Sequence, residues 1–194
     1  MDEVLKSVDV SGCFSAAARD GLFPIGPHLI LFGEEEIGVH LKVENGKIVR
    51  KDSDEPAIGL ASIAILAPRK MKIPFLGSEI KIHNEKEEHV RYVLCRTCCE
   101  LQQRDHPCSC TADERAIFVQ ATIPEINYSV ELGYIIKDIF EVYFWPEGGK
   151  KIFSEYVTAL QDLKNSTDDE TVKKLIKIGK TSKSLLIDTI FTHL

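Results

Sequence analysis

The apolar positions of the chain change period several times, and each change predicts an element. Residues 3–10, EVLKSVDV, end in a short strand-like apolar stretch. SGCFSAAARDG then reads as a compact helix stopped at Gly21. LFPIGPHLILFG is punctuated by Pro24, Gly26 and Pro27, which predicts a turn leading into a strand. From 37 to 94 the pattern is β. IGVHLKVENGKIVR predicts a hairpin around Asn45-Gly46, and GLASIAILAP and the stretch Glu79–Ile82 add strands. The polar runs Lys51–Glu55 and Asn84–Glu88 predict exposed loops.

Further along, RAIFVQ predicts a strand. Thr122 caps IPEINYSVEL, with Pro124 in the first turn and Gly133 just past the end. YIIKDIFEVYFW predicts a long strand of alternating character, in which Tyr143 and Trp145 pack in the core or at an edge. In KKIFSEYVTALQDLK, residues Ile152, Phe153, Tyr156, Val157 and Leu160 share one helical face. From Asp168 to Leu194 the pattern is mostly helical, with Gly179 as a break. The sum is an α+β fold, an antiparallel sheet packed by helices. A domain spanning 1–165, with an inserted loop at 95–110, is followed by a helical C-terminal arm at 166–194.

Composition sharpens this picture only in part. With 194 residues and 44% apolar content the chain buries a core as one domain or one domain with a small appendage. The start MDEVLKSVDVSGCF lacks the basic opening and long apolar run of a secretory signal, and no segment approaches the ~20 apolar residues of a membrane span. The expected setting is therefore intracellular and reducing, with no membrane. A net charge of -6 argues against phosphate binding as the main role. Lys173, Lys174, Lys177, Lys180 and Lys183 recur at spacings that place most of them along one helical face. They are read as a solvated face, with a phosphate-binding strip as the alternative. The histidines at 28, 40, 83, 89 and 193 are scattered and suggest no catalytic triad, and Cys13 reads as a small buried apolar residue.

Candidate chemistry concentrates in CRTCCELQQRDHPCSC, residues 95–110, which holds five of the six cysteines. Cys95-x2-Cys98 is the tight spacing that lets two thiolates face one ion, and Cys108-x-Cys110 supplies a second pair. In a reducing compartment clustered cysteines favour a metal over disulfides, and four soft thiolates suit Zn2+. Cys95, Cys98, Cys108 and Cys110 are the predicted ligands. Cys99 is the surplus thiol, and either it or His106 is a substitute for one of the four. Reduced thiols without metal, or disulfides, are the competing readings. Four protein ligands close the site, so the zinc is expected to be structural.

Beyond spacing, CRTCCELQQRDHPCSCTADERAIFVQATIPEINYSVELGYIIKDIFEVYFW resembles the palm region of protein-primed family B DNA polymerases, specifically those of Polinton/Maverick-type DNA transposons. The resemblance rests on C-R-T-C, the second cysteine pair, E-R-A, the helix ending E-L-G-Y and the strand that follows. Weaker similarity covers nearly the whole chain. Asp9 to Ser15, DVSGCFS, stands where the family carries D-x-x-S-L-Y-P, and GLFPIGP where it carries K-Y-P-V-G-x-P. IFSEYVTALQDLKN looks like F-x-D-Y-I-N-x-F-L-x-x-K, and LLIDTIFTHL like L-M-L-N-S-x-Y-G-K-F.

The departures fall on catalytic positions. In the family the first motif supplies a metal-binding aspartate and a tyrosine that selects the sugar. Here Asp9 remains, while Phe14 and Ser15 replace the tyrosine and the proline after it. The triphosphate-contacting lysine falls at Ser184 beside Lys183, Asn-Ser becomes Asp188-Thr189, and Tyr-Gly becomes Phe191-Thr192. The sequence ends before the D-T-D motif. Phosphoryl transfer by two metals needs carboxylates from both motifs to hold ions about 3.5–4 Å apart. Asp52, Asp54, Asp168 and Asp169 read as solvated surface rather than replacements.

The resemblance therefore implies a palm-like sheet with a fingers-like arm, in which Asp9 is a vestigial ligand position and catalysis is lost. The expected function is that of a domesticated, non-catalytic protein–protein interaction module in a nuclear complex, self-association included. The alternatives are non-catalytic nucleic-acid binding through Arg91, Arg96, Arg104 and the lysine strip, and residual metal-dependent phosphoryl transfer.

Overall fold

The computed structural model describes residues 13–82, 86–103 and 105–174, and the elements follow the predicted α+β order closely. In chain order they are α1 (Cys13–Asp20), β1 (Phe23–Pro24), β2 (Leu29–Phe32), α2 (Gly33–His40), β3 (Leu41–Glu44) and β4 (Lys47–Arg50). Next come β5 (Gly59–Leu66), β6 (Gly77–Ile80), β7 (His89–Tyr92), α3 (Arg96–Glu100) and α4 (Ala112–Arg115). The series closes with β8 (Ile117–Thr122), α5 (Ile123–Glu131), β9 (Ile135–Phe144), β10 (Gly149–Lys150) and α6 (Ser154–Ser166). Two compact units are formed, one from residues 24–148 and the other from the segments that flank it in sequence.

In the unit 24–148 a four-stranded antiparallel sheet runs in the order β2-β9-β5-β8. Both β8 and β9 are antiparallel to β5, with Ile65 opposite Ile117 on one side and Ala61 opposite Val142 on the other. They are thus parallel to each other across β5, and α5 is the crossover between them. Alternating residues supply one buried face of this sheet: Leu31, Ala61, Ile63, Ile65, Ile117, Val119, Val142 and Phe144. Against it α5 lays Ile123 and Ile126, both fully buried. Thr122 accepts from the Glu125 backbone N–H while Glu125 accepts from that of Thr122, so a complete capping box starts α5. Gly133, at φ 94°, then reverses the chain as the helix ends, a conformation a side chain would strain.

The β3–β4 hairpin turns at Asn45 (φ 51°) and Gly46 (φ 79°), the doubly left-handed turn that Asn-Gly favours. Asn127 of α5 holds this hairpin. Its Oδ1 accepts from Ile48 N at 2.8 Å, and its Nδ2 donates to Ile48 O at 2.8 Å. A separate ribbon, β6 with β7, pairs Gly77 with Tyr92 through Ile80 with His89.

Three local expectations are corrected. Residues 37–40, read as the start of the hairpin's first strand, close α2 instead. Glu34, Glu35 and Glu36 occupy that helix's first turn, where carboxylates complement the exposed backbone N–H groups, and only Ile37 is buried. The strand read as RAIFVQ begins only at Ile117, because Arg115 and Ala116 complete and cap α4. The strand placed at Glu79–Ile82 lies at Gly77–Ile80.

In the other unit α1 packs with α6, where Arg19 Nη1 donates to Gln161 Oε1 at 3.2 Å and Phe23 meets Phe153 edge-on at 4.9 Å. Val157 is the buried residue of α6. Ile152 precedes the helix and Tyr156 turns outward, so the apolar face is narrower than the five residues predicted for it. The short strands β1 and β10 pair with each other. Among the described residues no helix is long and apolar enough to cross a membrane. Asp9, His83, Arg104, Lys177, Gly179, Lys180, Lys183, Ser184, Asp188, Phe191, Thr192 and His193 lie outside the described residues. The predicted C-terminal arm is described only as far as residue 174.

Candidate metal centre

The loop between β7 and β8 gathers its thiols through two short helices. Cys95 is the residue preceding α3, with extended backbone (φ -152°, ψ 121°), and its sulfur accepts from the Cys98 backbone N–H at 3.5 Å. That contact bends the chain so that Cys98, one turn on, points to the same place as Cys95. The turn closes with Gln103 N donating to Cys98 O at 2.9 Å, past a left-handed Gln102. Cys108 and Cys110 approach from the far side of the loop.

The result is one cluster. The sulfurs of Cys95, Cys98, Cys108 and Cys110 all lie within 4.8 Å of one another, and those of Cys98 and Cys110 are 3.7 Å apart. Four ligands at about 2.3 Å around a tetrahedral zinc would place neighbouring sulfurs about 3.8 Å apart. A disulfide would need about 2.05 Å. All four thiols are free of disulfides, so the donor set fits a metal ion. Cys95 is buried and the other three are half-buried.

Both arms of the loop are fastened to the sheet. Arg69, just past β5, donates through Nη1 to Cys108 O at 3.0 Å and through Nη2 to Cys110 O at 2.9 Å. Thr97 Oγ1 donates to Glu114 O at 2.7 Å, tying the first arm to α4. A capping box between Thr111 and Glu114 begins α4. Arg115, buried at its end, donates through Nη2 to Ala67 O at 2.6 Å and Leu94 O at 3.4 Å. The Thr111–Glu114 hydrogen bonds hold the Glu114 carboxyl below its ordinary range.

Crowding four thiols shifts their acidity. Burial pushes Cys98 well above the ordinary thiol range, and hydrogen bonding to Cys95 adds to the effect. Burial also raises Cys110. Burial opposes ionisation of Cys108 too, but hydrogen bonds from the Cys110 backbone and the neighbouring thiols prevail and bring it down to about 7. A cation supplies the opposite charge that lets all four ionise together.

The four predicted ligands are thus brought together, and the two substitutes are not. Cys99 and His106 lie outside the cluster, and His106 is exposed. Arg96 is committed to Glu100, at 2.8 Å, and to the ring of Phe118, 4.9 Å away. Asp52 is exposed, as the sequence predicts, and is bonded by the buried Arg50 through both carboxylate oxygens, at 2.9 and 3.0 Å. Trp145 is buried beside His28, with ring centroids 5.3 Å apart. Sequence reading missed Arg69, Thr97 and Arg115. The T-A-D-E box at Thr111–Glu114 was a legible helix start, whereas nothing local marks Arg69 as a clamp on carbonyls about forty residues away.

Compared with known proteins, the chain matches no family model, no curated protein and no solved structure.

Proposed function

We propose that this chain is a non-catalytic protein-binding module whose cysteine loop is stapled by a structural Zn2+, on a scaffold derived from a polymerase palm. The observation that carries the proposal is the closed set of four thiols at Cys95, Cys98, Cys108 and Cys110. A zinc with four protein ligands has no open position for water or substrate, so its contribution is to folding. Arg69 and Arg115 convert that local closure into a fixed loop beside the sheet.

Loss of catalysis follows from the residues that stand in the resembling motifs. Phe14 and Ser184 stand where the family carries the tyrosine that selects the sugar and the lysine that contacts the triphosphate, and Ser15, Phe191 and Thr192 depart from its motifs as well. An antiparallel sheet with an inserted cysteine loop, and a helix crossing from β8 to β9, is in keeping with a palm-like ancestry. The net charge of -6 favours protein partners over nucleic acid, in a nuclear complex or as self-association.

Affinity capture of the full chain, run beside Cys95→Ser/Cys98→Ser and Asp9→Ala, tests the reading. The account expects a defined partner set that the double cysteine variant loses and the Asp9 variant keeps, with no primer extension by any of them. Primer extension or nuclease activity abolished by Asp9→Ala would overturn it. So would a steeply salt-dependent affinity for DNA with no protein partner.

A further inference from the structure

An open cleft of about 600 Å³ lies between β8, the last strand of the main sheet, and the β6–β7 ribbon. Beside buried aliphatic residues such as Ile63, Leu76 and Val119, its lining presents three solvent-facing aromatic rings. Tyr92 is 62%, Phe118 48% and Phe140 43% exposed, far from the near-zero exposure of the core on the sheet's other side. Phe140 reaches this face through a bulge. The β5–β9 ladder pairs Ser62 with Glu141 and then Ile63 with Ile139, skipping Phe140 and turning it toward Phe118, 5.9 Å away between ring centroids.

The charged lining is of one sign. Glu79, Glu88 and Glu125 line the cleft, and among the described residues no lysine, arginine or histidine does. All three carboxylates are exposed. The chemistry such a lining receives is already present at its edge, where the Arg96 guanidinium sits 4.9 Å above the Phe118 ring. The side walls are strands. Ser78 Oγ donates to Phe118 O at 2.6 Å, bringing the ribbon against the outer edge of β8.

From the aromatic floor, the single-signed rim and the strand walls, we infer that this cleft docks a cationic, extended peptide segment of a partner protein. Apolar side chains at alternate positions rest on Phe118, Phe140 and Tyr92. The arginines or lysines between them meet Glu79, Glu88 and Glu125, since successive side chains of an extended strand point to opposite faces. A nucleic acid is disfavoured, because its phosphates would face three carboxylates. The inference rests on the reading of the chain as a protein-binding module and gives that module a location and a partner chemistry.

The test is fluorescence anisotropy on the zinc-loaded full chain, with a labelled peptide alternating arginine with leucine and a second alternating glutamate with leucine. The arginine peptide binds, and its affinity falls with added salt. Glu79→Lys/Glu88→Lys weakens it by about tenfold or more, as attraction at two positions becomes repulsion. Phe140→Ser weakens it as well, while Glu35→Lys/Asp54→Lys, a charge reversal of equal size outside the cleft, does not. Circular dichroism of each variant verifies that the fold persists. Equal affinity of wild type and Glu79→Lys/Glu88→Lys, or equal binding of the glutamate peptide, overturns the inference. Direct binding of a labelled single-stranded oligonucleotide that Phe140→Ser abolishes overturns it in favour of nucleic acid. If Glu79→Lys/Glu88→Lys still captures the full partner set, the cleft is the wrong surface and the module reading survives. If the arginine peptide binds here but the wild-type chain captures no partner, the cleft stands and the module reading fails.

Discussion

The sulfur of Cys98 lies 3.7 Å from that of Cys110, although twelve positions separate them in sequence. Unaided, two half-buried thiols at that distance gain little, because ionising one disfavours ionising the other. A shared cation reverses the sign of that interaction. The surrounding hydrogen bonds suit such a shared site: the Cys98 N–H points at the Cys95 sulfur, and Arg69 grips the backbone of the second pair rather than its thiols.

Ligand removal should therefore be costly and selective. Cys98→Ser is expected to abolish stoichiometric metal and to lower stability by at least about 2 kcal/mol. Cys99→Ser, next door in sequence and outside the cluster, should keep the metal and cost far less stability. Metal analysis with chemical denaturation of the two variants provides the comparison. Equal loss in both would show that the cluster is wrongly assigned.

Acid should weaken metal binding, and the sign follows from the thiols. Without metal, burial keeps Cys98 and Cys110 protonated above the ordinary thiol range, while Cys108 ionises at about 7. Metal coordinates thiolates, so binding expels protons, and lowering the pH favours the metal-free form. Between about pH 8 and about pH 6 the affinity should fall by at least about tenfold per unit, the response to one or more released protons. Competition against a chromophoric chelator measures this slope, and a flat profile would contradict thiolate ligation.

Asn127→Ala should cost about 2 kcal/mol, more than an ordinary surface substitution, because it strands both backbone groups of the fully buried Ile48. Urea titration reads the loss. Asn127→Asp keeps the acceptor for Ile48 N but places an oxygen against Ile48 O, so it should not rescue the fold.

Thr122→Ala removes half of the capping box at the start of α5 and should cost about 1 kcal/mol, with Thr122→Ser close to wild type. Equal stability of Thr122→Ala and wild type would show that Pro124 and the packing of Ile123 and Ile126 suffice to start the helix.

Much of this was legible in the sequence where a signal is local. Asn45-Gly46, the Thr122 cap with Pro124, and the apolar run of β5 each fix an element through a few neighbouring residues, and the structure has them where expected. The four thiols were legible for the same reason, since paired spacings along a short loop restrict where the sulfurs can go. Ile37, Val39 and Leu41 show where this fails. Their alternation mimics a strand, but the three glutamates ahead of Ile37 favour a helix start, and the switch to strand comes only at Leu41. The Phe118–Phe140 contact was not legible at all, because it depends on a bulge in the β5–β9 register. Nor was Arg69, whose partners are carbonyl groups brought near by the fold.

The most direct test of the account is zinc-edge X-ray absorption on the purified full chain, with metal quantified in the same sample. It predicts one zinc per chain with a first shell of four sulfurs at about 2.3 Å. Absence of stoichiometric zinc, or a first shell containing nitrogen or oxygen in place of a sulfur, would contradict the four-thiolate staple formed by Cys95, Cys98, Cys108 and Cys110.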